Sequence, residues 1–342
     1  MLNNRAKSDN LGTESPFSDT ITTGYFGLDF NNIEQYDSET LLSIDARLQG
    51  SEMSKDERLF LNGIIRKTRP QKIVEYGVAA GGSAAVILNA IKDIPDAKLY
   101  SLDYSERYYQ DTSKPVGWMI PEQFPHLMDK WECLSGGVCC RFLDRITNNG
   151  NDKIDVCLID TVHSNPGEFL NILEVLPYMK RNSIIVLHDT AMHTLGDMKC
   201  VTNCICLNTL PGKRIVLLED TSRNCPVVSN IGGIVLDNNV AESHYPLFTN
   251  LSLPWEFSLR KEDYDILLSH FQKYYPATLT TIFEKTYRYY GNRYTPLSVR
   301  VPFVRWYSDE VYHHFKVFGF TFRIKRGRKG IVRRLAERTI GR

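Results

Sequence analysis

The sequence predicts a doubly wound α/β domain: a mostly parallel sheet of seven strands with helices on both faces, a helical lid before it and a helical and hairpin extension after it. Three observations predict this. Apolar strand-like runs alternate with helical segments from residue 72 onward. Those runs are continuously apolar, as in a parallel sheet covered on both faces, rather than alternating. The chain is also long enough, at 342 residues with 42% hydrophobic and 11% aromatic residues, to bury a large α/β core with segments appended at either end.

In chain order, residues 1–20 are polar and loose. Residues 21–70 form a helical lid with helices near Ser38 to Leu48 and Ser54 to Lys67. The second helix opens with Ser54-Lys55-Asp56-Glu57, a capping box in which serine and glutamate each satisfy a free backbone amide. Pro70 ends the helical region. Residues 71–240 then supply strands KIVEY (72–76), KLYSLD (98–103), Trp131 to Leu134, DVCLID (155–160), SIIVLHD (183–189), RIVLLED (214–220) and IGGIVLD (231–237). Helices are expected from Gly82 to Lys92 and from Pro166 to Met179. Residues 241–342 read as two tyrosine-rich helices, a hairpin in VYHHFKVFGFTFRIKRGRKG and a basic end.

The net charge of +1 conceals a basic tail. From His313 to Arg342 ten Lys/Arg face a single acid, giving +9, so the remainder carries 31 minus 39, or −8. Such a tail suits an anionic partner such as a membrane surface. The N-terminus lacks the apolar core of a signal peptide, and no run approaches the ~18 apolar residues of a membrane span. A cytoplasmic protein is expected. The eight cysteines show no paired CxxC pattern and read as reduced structural thiols; Cys200, Cys204 and Cys206 lack an evident fourth zinc ligand.

In a doubly wound sheet the ligand crevice lies outside the carboxyl ends of the strands. The first strand runs into EYGVAAGGS, whose spacing Gly77-x-x-x-Gly81-Gly82 departs from the dinucleotide fingerprint and offers no Walker lysine. Glu75 near the strand end would repel phosphates but favour a ligand carrying an ammonium or sulfonium group. Asp103 ends the second strand, 26 residues after Gly77, where a carboxylate can accept hydrogen bonds from ribose hydroxyls. Ser135, Gly136 and Gly137 follow the third strand and could border an adenine or form an ordinary turn. Asp160 and His163 follow the fourth strand, and His188 and Asp189 close the fifth. Adjacent strands lie about 4.8 Å apart, so Asp160 and Asp189 can converge on one divalent cation. The bland alternative is that Asp189 caps a helix and His188 fills the core.

Taken in order, EYGVAAGGS, LYSLDYS and LIDTVHSNPGEFLNILEVLPYMKRNSIIVLHDT resemble a class I S-adenosylmethionine-dependent methyltransferase with its Rossmann-like sheet. They are most similar to macrocin-type sugar O-methyltransferases and cephalosporin-hydroxylase-like proteins. The resemblance spans about 72–237. It implies that Glu75, Gly77, Gly81 and Ser83 hold the methionine part of the cofactor, Asp103 the ribose, and Ser135 and Gly136 the adenine border. It further implies Asp160 and Asp189 as ligands of Mg²⁺ or another divalent metal, with Thr190 where relatives often place a third carboxylate or amide ligand. His163, at the position of a catalytic lysine in catechol enzymes, becomes the general base.

The implied reaction is metal-assisted O-methylation of a sugar hydroxyl, with a glycan or nucleotide-sugar acceptor. The segment VFGFTFRIKRGRKG resembles short segments of bacterial capsule and lipopolysaccharide assembly proteins, which implies surface polysaccharide biosynthesis at the inner membrane face. That hairpin also suits a homo-oligomer contact. Tyr25, Phe26 and Tyr36 are lid aromatics suited to sugar rings or to core packing, while His193, His313 and His314 stay unassigned. No nucleic-acid partner is expected. Two other readings are a catalytically inactive S-adenosylmethionine-binding scaffold of the same fold and a nicotinamide-dependent oxidoreductase.

Overall fold

The computed structural model describes residues 24–48, 51–195, 198–217, 229–291, 304–308, 312–317 and 320–325. The expectations for residues 1–20, for Cys225 and for the basic end beyond Lys325 lie outside the described residues. The chain divides into two compact units, Met1–Leu247 and Phe248–Arg342.

In the first unit, helices α1 (Ser38–Leu42) and α2 (Lys55–Thr68) precede strand β1 (Lys72–Tyr76), helix α3 (Gly82–Ile91) and strand β2 (Lys98–Asp103). Next come α4 (Met119–Gln123), β3 (Trp131–Ser135), α5 (Cys140–Ile146), β4 (Ile154–Ile159), α6 (Gly167–Val175) and β5 (Met179–His188). Helix α7 (Thr202–Thr209) and strands β6 (Gly212–Val216) and β7 (Ile231–Leu236) follow, and the division between the units falls within helix α8 (His244–Asn250). The seven strands form one sheet in the order β3-β2-β1-β4-β5-β7-β6. Strands β1 to β5 run parallel, while β7 is antiparallel to both β5 and β6. The strand order reverses between β1 and β4, and this switch point is where a doubly wound sheet opens its crevice.

Two helical layers cover the sheet. Phe60, Leu61 and Ile64 of α2 and Ala84, Ile87 and Leu88 of α3 share one buried cluster with Ile73, Val156, Leu158, Ile184 and Val186 of the strands. Phe169, Leu170 and Leu173 of α6 are buried as well. The capping box of α2 forms as the sequence reads: Ser54 accepts from the Glu57 amide while the Glu57 carboxylate accepts from the Ser54 amide. The predicted helix over Ser38 to Leu48 is a short α1 followed by a 3-10 turn at Asp45–Arg47. Strand β5 starts earlier than expected, because Met179 pairs with Ile154 before the register shifts.

The second unit contains α9 (Lys261–Tyr274) and α10 (Ala277–Gly291). Their aromatic residues make the core: Phe271 packs edge-on against Phe283, and Tyr264 stacks on Tyr287. The expected hairpin is part of a three-stranded antiparallel sheet, β8 (Val304–Ser308), β9 (Tyr312–Val317) and β10 (Phe320–Lys325). No described helix is long and apolar enough to cross a membrane.

Candidate active site

The carboxyl ends of β1, β2, β4 and β5 carry two clusters of carboxylates. Each is settled differently.

The first cluster surrounds the turn after β1. Gly77 and Gly81 have φ of +85° and +100°, backbone that side chains rarely adopt. At Gly77 the constraint is also steric: a Cβ would meet the Asp160 carbonyl oxygen at 1.8 Å. The turn is thus pressed against the end of β4, where the Asp160 amide donates to the Tyr76 carbonyl. Glu75 lies beneath this turn rather than at its mouth. It is 0% exposed, and its oxygens accept from the hydroxyls of Ser83, in the first turn of α3, and Ser101 of β2. Trp131 Nε1 donates to the same Ser101 hydroxyl, tying β3 into the set. Burial pushes the Glu75 carboxyl up to about 7, against the opposing effect of those hydroxyls.

Asp103 ends β2. Its Oδ2 accepts from the Val78 amide at 2.9 Å and its Oδ1 from the Ser105 amide at 2.8 Å. These bonds hold the carboxylate beside the glycine turn. Burial nonetheless raises its pKa. Ser135 pairs with Asp103 across β2 and β3, and the Gly136 amide donates to the Asp103 carbonyl, so the loop after β3 borders the same space.

The second cluster joins β4 and β5. His163 Nε2 stands 3.0 Å from Asp189 Oδ2 and 3.9 Å from Asp160 Oδ1. One ligand-type atom from each of Asp160, His163 and Asp189 lies within 4.8 Å of the others. His163 and Asp189 have φ of 57° and 56°, strained backbone for non-glycine residues, and such strain gathers at functional sites. Thr190 is buried and its hydroxyl donates to the Ser229 carbonyl, so the third group beside the two aspartates is His163.

Four residues that the sequence reading did not assign to the site complete it. Glu168, 0% exposed in the first turn of α6, accepts from the Thr161 hydroxyl and the His163 amide, and so holds the turn carrying His163. Burial raises its pKa to about 7. Glu57 of α2 places Oε2 3.2 Å from His188 Nε2. Asn230 Nδ2 donates to both Asp189 Oδ1, at 2.6 Å, and Glu57 Oε1, at 3.1 Å. Glu52 lies near enough for Asp160 and Asp189 to add to the effect of burial in raising its pKa. His188 is buried with Nδ1 3.1 Å from Asp160 Oδ1 and 3.5 Å from Asp189 Oδ2. These are ion-pair distances without well-aligned hydrogen bonds. Burial works against the imidazolium, but Asp160, Glu57 and Asp189 outweigh it and raise the His188 pKa well above the usual histidine range.

Both implied ligands fit these residues. The glycine turn has no room for side chains, and a carboxylate is pinned at the end of β2, which suits a nucleoside with a ribose. Two carboxylate oxygens and an imidazole nitrogen suit a divalent ion of the Mn²⁺ to Zn²⁺ kind better than Mg²⁺, which favours an all-oxygen shell.

Residues 74–190 match the model of a family described as a methyltransferase domain. Among solved structures, the chain is similar to the O-methyltransferase TomG of Streptomyces achromogenes, in complex with S-adenosylmethionine, at 12% identity and a TM-score of 0.43 over 58% of this chain and 90% of that one. An O-methyltransferase from Bacillus cereus in complex with S-adenosylhomocysteine aligns at 17% identity and a TM-score of 0.42 over 58% and 89%. The S-adenosylhomocysteine-bound methyltransferase PaMTH1 of Podospora anserina aligns at 15% identity and 0.42 over 58% and 88%. No curated protein matches the chain.

Proposed function

We propose that the chain, whose residues 74–190 match a methyltransferase-domain family, moves the methyl group of S-adenosylmethionine to a sugar hydroxyl with the help of a divalent cation. The observation that carries the metal is the second cluster. Asp160 and Asp189 share a small space with His163, and Glu52, Glu57 and Glu168 lie around it. The His188 imidazole meets part of that charge, and a divalent ion held by Asp160, His163 and Asp189 would meet more of it.

Each residue then has a task. Glu75 is a buried strut that fixes Ser83 and β2, while Ser83 and the glycine turn meet the methionine end of the cofactor. Asp103 accepts from the ribose hydroxyls. S-adenosylmethionine supplies an electrophilic methyl, and a divalent ion would lower the pKa of the acceptor hydroxyl. His163 accepts the hydroxyl proton at Nε2, and Asp189 Oδ2 beside it holds the imidazolium that results. The remainder is positioning for in-line displacement. A neutral polyol suits an acidic site, and the exposed Tyr104 and Tyr109 after β2 offer faces for a sugar ring. The acceptor class, a surface glycan or nucleotide-sugar met at an anionic membrane face, rests on the sequence resemblance and the basic tail.

Labelled S-adenosylmethionine incubated with extracted surface polysaccharide, with and without chelator, tests this. Chelator-sensitive incorporation into glycan is expected, and incorporation unaffected by chelator would remove the metal. Geometry favours one variation, in which His163 is the third metal ligand in place of Thr190. His163→Ala then loses Mn²⁺ affinity, whereas the base reading keeps affinity and loses turnover. Thr190 in place of a third acidic ligand also favours cofactor binding without turnover. That reading predicts calorimetric binding of S-adenosylmethionine with no transfer to any glycan.

A further inference from the structure

Glu57 lies outside the matched domain, in the helix before the sheet. A capping-box glutamate needs only to reach the amide of its own N-cap, and at a helix terminus it can do so in water. Glu57 is instead 0% exposed and is met by three elements. Its Oε2 faces the Ser54 amide and His188 Nε2, and its Oε1 accepts from Asn230, 173 residues along the chain. Burying a carboxylate is costly unless its partners require the charge. Those partners lead to the acidic cluster, because His188 turns Nδ1 toward Asp160 and Asp189 and Asn230 also holds Asp189 Oδ1. Asn230 further accepts from the Ala191 amide through Oδ1, bracing the turn that carries Asp189.

We propose that Glu57 is a positioning residue of the active site: it fixes the ring nitrogens of His188 and, with Asn230, the orientation of Asp189. Its metal consequence rests on the reading of the cluster as a divalent-cation site; its effect on His188 does not. Residues that orient ligands in this way commonly change metal affinity 10- to 100-fold when altered. The helical segment before the sheet is therefore part of the catalytic centre.

Two variants separate positioning from capping. Ser54→Ala removes the cap partner and leaves the bridge to His188, whereas Glu57→Gln keeps the shape and changes what His188 and Asn230 meet. Mn²⁺ affinity, measured by calorimetry on the full chain, should fall about tenfold or more in Glu57→Gln and stay within about twofold in Ser54→Ala. The ¹⁵N shifts of the His188 imidazole, assigned with His188→Gln, should change in Glu57→Gln and not in Ser54→Ala. Asn230→Ser, which cuts the bridge from the other side, should lower Mn²⁺ affinity too and replaces Glu57→Gln if that variant does not fold. Equal Mn²⁺ affinities in Glu57→Gln and Ser54→Ala, or unchanged His188 shifts in Glu57→Gln, overturn the proposal. A wild-type protein that binds no Mn²⁺ overturns the metal reading alone, and the imidazole shifts then decide the role of Glu57.

Discussion

The two carboxylate clusters lie on either side of Gly77, and they differ in how their charge is met. Around Glu75 and Asp103 the protein supplies the partners itself: two hydroxyls for Glu75, two backbone amides for Asp103. Around Asp160 and Asp189 the neighbours are two imidazoles and further carboxylates, and Asn230 is shared between Asp189 and Glu57. A cradle with settled charge can be preformed for an uncharged ribose and a cationic cofactor end. In the second cluster the carboxylates already surround the His188 imidazole, and the divalent ion of the proposed function would join it there.

The largest effect is expected where the clusters touch. Gly77→Ala puts a Cβ 1.8 Å from the Asp160 carbonyl in backbone of positive φ, so both clusters must shift. A loss of about 3 kcal/mol or more in urea unfolding is expected, together with loss of cofactor binding. A stable variant that binds normally would show that β1 and β4 do not press together there.

Asp160→Asn acts first on the second cluster, although the Asp160 charge also bears on Glu75. A fall in kcat on the order of 10³-fold is expected, with S-adenosylmethionine affinity little changed by calorimetry. Turnover at the wild-type rate would remove Asp160 from the reaction.

Asp103→Ala acts on the first cluster. Two hydrogen bonds to a charged group are lost, so the Kd for S-adenosylmethionine should rise roughly 10- to 100-fold, while kcat at saturating cofactor stays near wild type. A drop in kcat instead would blur the division between clusters.

The last effect is read in the pH dependence of stability, where it leaves turnover and binding aside. Glu75 titrates near 4.5 when unfolded and about 7 when folded, so the folded state binds the extra proton between those values. Its contribution to stability is present at low pH and is lost as pH rises through about 7, amounting to at most roughly 3 kcal/mol. Glu75→Gln should shrink the fall in urea midpoint between pH 5 and pH 8. Glu168, also raised to about 7, keeps its own share. An unchanged fall would mean that the buried carboxylate does not take up the proton.

Much of this molecule is legible in one dimension. KIVEY and KLYSLD coincide with β1 and β2, because apolar runs bounded by Gly, Pro and Asp carry their own boundaries. Asp103, Asp160, His163 and Asp189 were visible as acids and imidazoles at strand ends, where doubly wound sheets place their ligands. The capping box at Ser54 was visible too, but only as a helix start. Glu168, Asn230 and the reach of Glu57 carry no local pattern, since each matters through partners on other elements. The surroundings of Glu75 were hidden for the same reason: Ser83 and Ser101 flank it only once α3 and β2 have packed.

By itself the sequence determined the alternation of strands and helices, the glycines of the turn after β1 and the placing of acids at strand ends, because periodicity and backbone freedom are local properties. Only the tertiary structure decided which partners each of those acids meets. That outcome depends on the strand order that sets β1 beside β4 and on the helix that delivers Glu57 to His188.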